Sequence, residues 1–176
     1  MTTSVANNTS TNRNHHVELT TEPLNLTALV DFVRSDEAGA IATFSGTTRN
    51  SFIVNGDSKT VTKLSYEAYA PMAIAQLHTI LNEAQTTHFP TVIKVAVAHR
   101  TGVVPVGQES VIIAASSPGR KDAQNATAWI LDELKRRVPI WKKEHYGDGS
   151  VATWKENGEC NWLAGGPYKI DSGEFS

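Results

Sequence analysis

The sequence predicts an α+β fold, and three observations carry that prediction. Strand and helix signals alternate in the rough order β-α-β-β-α-β-β-α-β. Hairpin punctuation such as Asn55-Gly56-Asp57 joins neighbouring strands directly. Two longer segments place apolar residues at helical spacing after a proline. A doubly wound parallel sheet would need a helix between successive strands, which these hairpins do not supply.

Along the chain, Met1 to about Asn14 is rich in Thr, Asn and Ser and has almost nothing to bury. Residues 1–16 are therefore expected to form a disordered tail. A single domain over 17–164 and a flexible C-terminal tail over 165–176 complete the expected organisation. Val17 to Leu19 reads as a short first strand. Asn25 is a plausible N-cap for a short helix with Leu26, Leu29, Val30 and Val33 on one face. After Gly39 a strand is expected over Ala40-Ile41-Ala42-Thr43-Phe44, running into Ser45-Gly46-Thr47-Thr48-Arg49-Asn50. Leu64-Ser65-Tyr66-Glu67-Ala68-Tyr69 alternates as a strand does, and Pro71 then opens a helix as its N1 residue. Ile74, Leu77, Leu81 and Ala84 form that helix's buried stripe. Two β-rich runs follow, Val92 to Ala98 and Ser110 to Ala115, joined through Gly102, Pro105 and Gly107 in a hairpin-like connection. The next helix is expected from about Pro118 to Val138, with Ser117 as N-cap, Pro118 at N1 and Pro139 forcing its end. Ala123, Thr127, Ile130, Leu134 and Val138 mark its apolar face. The segment from Gly147 to Ser176 is Gly-rich and irregular, with Trp154 and Trp162 as candidate anchors.

Composition limits the function classes. Apolar residues make up 40% of the 176, enough for a core, and only 19% are charged. A net charge of −2 argues against a general nucleic-acid or membrane binder. Cys160 is the single cysteine, so no intrachain disulfide can form and a reducing, cytosolic setting is expected. The first residues lack the apolar region of a secretory signal, and no stretch approaches the roughly 18 apolar residues of a membrane span. The six histidines have no metal-ligand spacing. Neither a Walker loop, nor a GxGxxG, nor a serine nucleophile elbow occurs, so no metal or cofactor is expected.

Positive charge is nevertheless concentrated. Between Arg120 and Lys143, seven basic residues face three acids, a local excess of +4 in a chain of net −2. Asp132 and Arg136, and Glu133 and Arg137, are spaced as acid-first i,i+4 surface pairs. Lys135 has Leu131 at i−4 and borders the apolar stripe. Partial burial beside other cations suits a catalytic lysine, and equally a lysine snorkelling off the helix edge. In Val138-Pro139-Ile140-Trp141-Lys142-Lys143-Glu144, Pro139 stops the helix. Trp141 is expected to anchor the turn, holding Lys142 rigidly seven residues beyond Lys135. Two positioned lysines fit a phosphate or another small anion; a solvated basic face is the alternative. At Ser116-Ser117-Pro118-Gly119-Arg120 a helix N-terminus, a glycine and an arginine form a weak anion-site signal. Arg49 follows a strand, and could join the same cleft or simply face solvent.

These segments together resemble the large-subunit family of molybdopterin synthase, over about Gly39 to Trp162. The resemblance is carried by Gly-Ala-Ile-Ala-Thr-Phe-Ser-Gly-Thr-Thr-Arg (39–49), Leu-Ser-Tyr-Glu-Ala-Tyr (64–69) with Met72-Ala73, and His99-Arg100-Thr101-Gly102. Ser116 to Arg120, Leu134-Lys135 and the most specific stretch, Val-Pro-Ile-Trp-Lys-Lys-Glu (138–144), complete it. Trp154-Lys155 and Glu159-Cys160-Asn161-Trp162 are similar to the eukaryotic form.

The resemblance implies an α/β-hammerhead fold with an added antiparallel β subdomain. It also implies a heterotetramer in which two such chains form a central dimer, with a ubiquitin-like small subunit at each end. That partner's C-terminal Gly-Gly thiocarboxylate would deliver sulfur to cyclic pyranopterin monophosphate, two rounds giving the dithiolene of molybdopterin. Gly165-Gly166 in this chain is internal, so the chain looks like the acceptor half. By motif, Lys135 matches the essential lysine and Lys142 the second active-site lysine. Arg49 and Arg120 match pterin or phosphate contacts, and Lys143 and Glu144 extend the binding turn. Gly119 stands where the family usually carries His before the arginine, so only a backbone contact could act there. Two other classes compete on the residues alone: a non-catalytic anion-binding module, and a scaffold that captures a ubiquitin-like tail.

Overall fold

The computed structural model describes residues 8–154, apart from 55, 56 and 153. Trp162, Cys160 and the 165–176 tail lie outside the described residues.

Two sheets organise the chain. The first has five strands in the order β1-β2-β6-β8-β3: β1 (Asn8–Thr11), β2 (His15–Thr20), β6 (Lys94–Arg100), β8 (Glu109–Ser117) and β3 (Ala40–Thr47). Only β2 and β6 run parallel; the other pairs are antiparallel. The second sheet is antiparallel throughout, with β4 (Ser51–Val54), β7 (Gly102–Pro105) and β9 (Ile140–Tyr146) all pairing with the long β5 (Asp57–Ala68). The fold is α+β, and this second sheet is the antiparallel subdomain added to the first.

Strand alternation divides the core. Val95, Val97, Val111, Ile113 and Ala115 point to one face of the first sheet, where α2 (Ala70–Glu83) and α3 (Arg120–Arg137) cover them with Leu77, Ile80, Leu81, Ala126, Ile130 and Leu134. Ala96, Ala98, Ile112 and Ala114 point the other way, against Leu29 and Val33 of α1 (Leu26–Val33). Burial on both faces explains why β8 reads as a continuous apolar run. Helix α1 begins as its sequence signals, with the Asn25 side chain accepting from the Ala28 amide at 3.1 Å. Leu26, expected on its buried face, is 40% exposed.

Several expectations are corrected. Residues 8–11, assigned to the disordered tail, form edge strand β1, which needs only backbone partners from β2. Pro71 is the second residue of α2, not the first, and Ala84 belongs to a π-helical turn (Ala84–His88) that extends it. The hairpin-like link between β6 and β8 contains β7, which leaves the first sheet to pair with β5. Pairing of Val54 with Asp57 closes the β4–β5 hairpin around the predicted turn, whose residues 55 and 56 are not described.

Helix α3 starts later than expected. Ladder pairing with Ala40 keeps Ser117 extended, so its hydroxyl donates to the Gly119 carbonyl and Gly119 takes the N-cap position. Gly39 makes this corner possible, because a Cβ there would lie 2.4 Å from the Pro118 carbonyl oxygen. At its other end Val138 is extended (φ −87°, ψ 129°), as a residue before proline prefers, and its amide reaches the Leu134 carbonyl. The segment after Pro139 is then strand β9 rather than a turn: its amides and carbonyls pair with β5 from Ala68↔Ile140 to Val61↔Tyr146. None of the described helices is long and apolar enough to cross a membrane.

Candidate active site

Where the C-terminal half of α3 meets the two sheets, a cavity of about 290 Å³ opens. Three groups of residues build it. Leu131, Leu134 and Lys135 come from the end of α3, Val138 from its C-cap, and Ile140 and Lys142 from β9. Phe44, Gly46, Thr47, Tyr66, His99, Ser110 and Val111 come from β3, β5, β6 and β8. Lys135 reaches it from the last helical turn. Strand alternation turns Ile140 and Lys142 toward it and Trp141 and Lys143 away. The seven-residue separation therefore spans one helix end, a proline corner and two strand positions, and it brings both lysines to one cavity.

Lys142 is tied down from below. Its Nζ lies 3.4 Å from Glu144, a carboxylate only 3% exposed that also accepts the Tyr146 hydroxyl at 2.7 Å. Glu144 thus underlies the cavity wall behind Lys142.

The wall supplied by β5, β6 and β8 is neutral. His99 is 5% exposed, and burial holds its imidazole down to a pKa of about 4, only partly offset by the hydrogen bond to the Arg100 carbonyl. Because a carbonyl can only accept, that bond (2.8 Å) puts the proton on Nδ1 and leaves Nε2 with its lone pair. Tyr66 has its pKa raised, by burial first and also by the Glu144 charge, while a hydrogen bond from Ser110 opposes the shift. One side of the cavity thus offers fixed positive charge and the other offers neutral hydrogen-bonding groups, an arrangement that can hold an anionic centre attached to a polar heterocycle.

The other sequence-derived candidates are not in this cavity. Arg49 is exposed just beyond β3. Arg120 lines a separate depression of about 200 Å³ with Ala40–Thr43 of β3 and Gln124. Gly119 has open space around it, so its backbone is accessible. Lys143 faces the opposite side of the β5–β9 ribbon, 4.7 Å above the Trp154 ring, in a groove with Ser65, Glu67 and His145. Conversely, Tyr66, His99 and Ser110 carried no role in the sequence reading. Tyr66 and His99 lie inside segments that carried the family resemblance, but nothing local distinguishes them from core residues.

Comparison with known proteins gives the class. Residues 19–137 match the family model described as MoaE protein. Molybdopterin synthase catalytic subunit 1 of Aedes aegypti is 43% identical over 149 residues, covering 84% of this chain and 93% of that one. The crystal structure of molybdopterin synthase from Staphylococcus aureus superposes with a TM-score of 0.70 at 33% identity, over 78% of this chain and 94% of the other. A complex of subunits 1 and 2 of molybdopterin-converting factor from Helicobacter pylori shares the fold, with a TM-score of 0.60 at 20% identity, over 75% and 86%. Fold, cavity and relatives define an enzyme of molybdenum cofactor biosynthesis. The chain belongs to the MoaE family, whose curated relatives are named as catalytic subunits of molybdopterin synthase.

Proposed function

We propose that this chain moves sulfur from the C-terminal Gly-Gly thiocarboxylate of a ubiquitin-like small subunit to cyclic pyranopterin monophosphate, building the dithiolene of molybdopterin. The observation that carries this reading is the convergence of Lys135 and Lys142 on one cavity with a neutral opposite wall. Both reactants are anionic, one a thiocarboxylate and the other a cyclic phosphate, and two fixed ammonium groups offset their mutual repulsion. Lys135 serves as general acid/base or transient covalent partner while the thiocarboxylate sulfur attacks the pterin side chain. Lys142 neutralises the charge that develops. Each new C–S bond replaces a bond from that side-chain carbon to oxygen, the oxygen leaving as water or as the opened phosphate ester. Water then cleaves the acyl–sulfur bond, leaving the sulfur on the pterin and releasing the small subunit as its carboxylate.

The reading includes a central homodimer with a small subunit at each end; the two-subunit Helicobacter pylori complex, which shares the fold, supports such a partner. Arg49, Gly119 and Arg120 are proposed pterin or phosphate contacts; Lys143, on the other face of β9, and Glu144, behind Lys142, extend the binding turn. Neither arginine lines this copy's cavity, and the reading assigns their contacts to the assembled dimer. The single cysteine supports a cytosolic setting.

The test is reconstitution with a thiocarboxylated small subunit and cyclic pyranopterin monophosphate, following molybdopterin as its fluorescent oxidation product. Product from the wild type with loss of turnover in Lys135→Ala is expected. An equal rate in the variant removes Lys135 from the chemistry, and no product from either, with a competent small subunit, overturns the reading.

A further inference from the structure

Glu144 is the least exposed carboxylate among the described residues, at 3%. Its two oxygens have different partners: Oε1 lies 3.4 Å from the Lys142 ammonium and Oε2 accepts the Tyr146 hydroxyl at 2.7 Å. All three residues alternate along one face of β9, so the line runs from the cavity wall, through the carboxylate, to a phenol in the second sheet. Tyr146 is itself 8% exposed, packed with Val61 and Leu64, with Lys59 4.9 Å over its ring. The hydrogen bond to Glu144, burial, and the charges of Glu144 and Asp148 push its ionisation up to about 12, so the phenol remains a donor at every physiological pH.

We infer that Tyr146 is a positioning residue for sulfur transfer, locking the Glu144 carboxylate so that Glu144 holds the Lys142 ammonium at the cavity wall. The inference rests on the functional reading above and adds to it a residue that touches no reactant. A lysine head on a four-carbon stem has many rotamers, and a carboxylate free to spin about its own axis gives it no single anchor. With one oxygen fixed by the phenol, the other is presented at a defined point. Tyr66 of β5 faces the same carboxylate from the adjacent strand and feels its charge, and its hydroxyl is engaged by Ser110. Tyr146 is therefore the phenol bonded to this carboxylate.

Tyr146→Phe keeps the ring in its core and removes only the donor. In the reconstituted complex, kcat is expected to fall about tenfold with KM for the cyclic pyranopterin within about twofold, since displacement of a catalytic group lowers turnover more than ground-state binding. Glu144→Gln is expected to fall further, and adding Tyr146→Phe to it should change nothing more, because both act through one carboxylate. An unchanged kcat in the folded Tyr146→Phe protein overturns the inference. A full additional loss in the Glu144→Gln background does so too. If wild type itself forms no product, the functional reading falls. The contact is then judged on the Lys142 side-chain carbon resonances of the isolated chain: these shift and sharpen toward free-lysine behaviour in Tyr146→Phe if the phenol holds the pair, and stay unchanged if it does not.

Discussion

The ring of His99 meets that of Tyr66 edge-on, with centroids 5.1 Å apart, in the wall opposite the two lysines. Both side chains are neutral there for the same reason: burial disfavours the charged form of each, holding the imidazole down to about 4 and raising the phenol.

A pH dependence of stability follows. The unfolded histidine takes up a proton near 6.5, whereas the folded one resists until about 4. Between those values the unfolded chain binds more protons, so stability is lost as pH falls through this window. The contribution of His99 between pH 7 and pH 5 is on the order of 2 kcal/mol. Urea unfolding at the two pH values should reveal this slope. His99→Gln should reduce it, leaving the smaller share of His78 and His145, whose imidazoles burial also holds below their ordinary value.

Neighbours on β9 should behave differently. Lys142 faces the cavity and Lys143 stacks on Trp154 across the ribbon. In the reconstituted assay, Lys142→Ala is expected to lower kcat/KM by at least about tenfold more than Lys143→Ala, which parallel kinetics on the two variants would measure.

Arg137 clasps α3 to α2. Its guanidinium meets Glu83 through both terminal nitrogens, at 2.5 and 3.0 Å, and reaches Glu133 at 3.2 Å; Arg136 also contacts Glu133. The Glu133 side chain is only 10% exposed, so Arg137→Ala removes one of two guanidinium partners from a largely buried carboxylate and the bidentate partner of Glu83. A loss of about 2–3 kcal/mol is expected in chemical denaturation.

Gly39→Ala tests the corner where β8 hands over to α3. The added methyl would meet a backbone carbonyl 2.4 Å away, and backbone cannot step aside as a flexible side chain can. A destabilisation of about 1–3 kcal/mol is expected, read from the shift in denaturation midpoint.

The sequence announced what is determined locally. Asn25 declares the start of α1, Pro139 the end of α3, and the unbroken apolar run of β8 its double burial. Features set by distant partners stayed hidden. β1 is Asn-Thr-Ser-Thr, a stretch with no apolar side chain, and it exists only because β2 offers an edge. β9 looked like a basic turn because lysines occupy both faces of it, and its alternation makes sense only against β5, far earlier in the chain. The cavity shows the same division. Lys135 and Lys142 stood out through local charge and family motif. Tyr66, His99 and Ser110 come from three strands, and each resembles an ordinary core residue until the sheets are assembled.

Strand β5 pairs with β4 just before it and with β7 and β9 after it, gathering segments from very different distances along the chain. Its pairing with β9 is the last to become possible as the chain is made, because Ile140–Tyr146 emerges after every other described strand. Long-range pairings of this kind also form slowly, since their loop entropy must be met before any contact is gained. Until that strand docks, Lys142 has no fixed place and the cavity lacks a wall. A chain in which Ile140–Tyr146 has not yet paired with β5 therefore lacks the wall that carries Lys142, so the cavity exists only once the two strands of this ribbon have met.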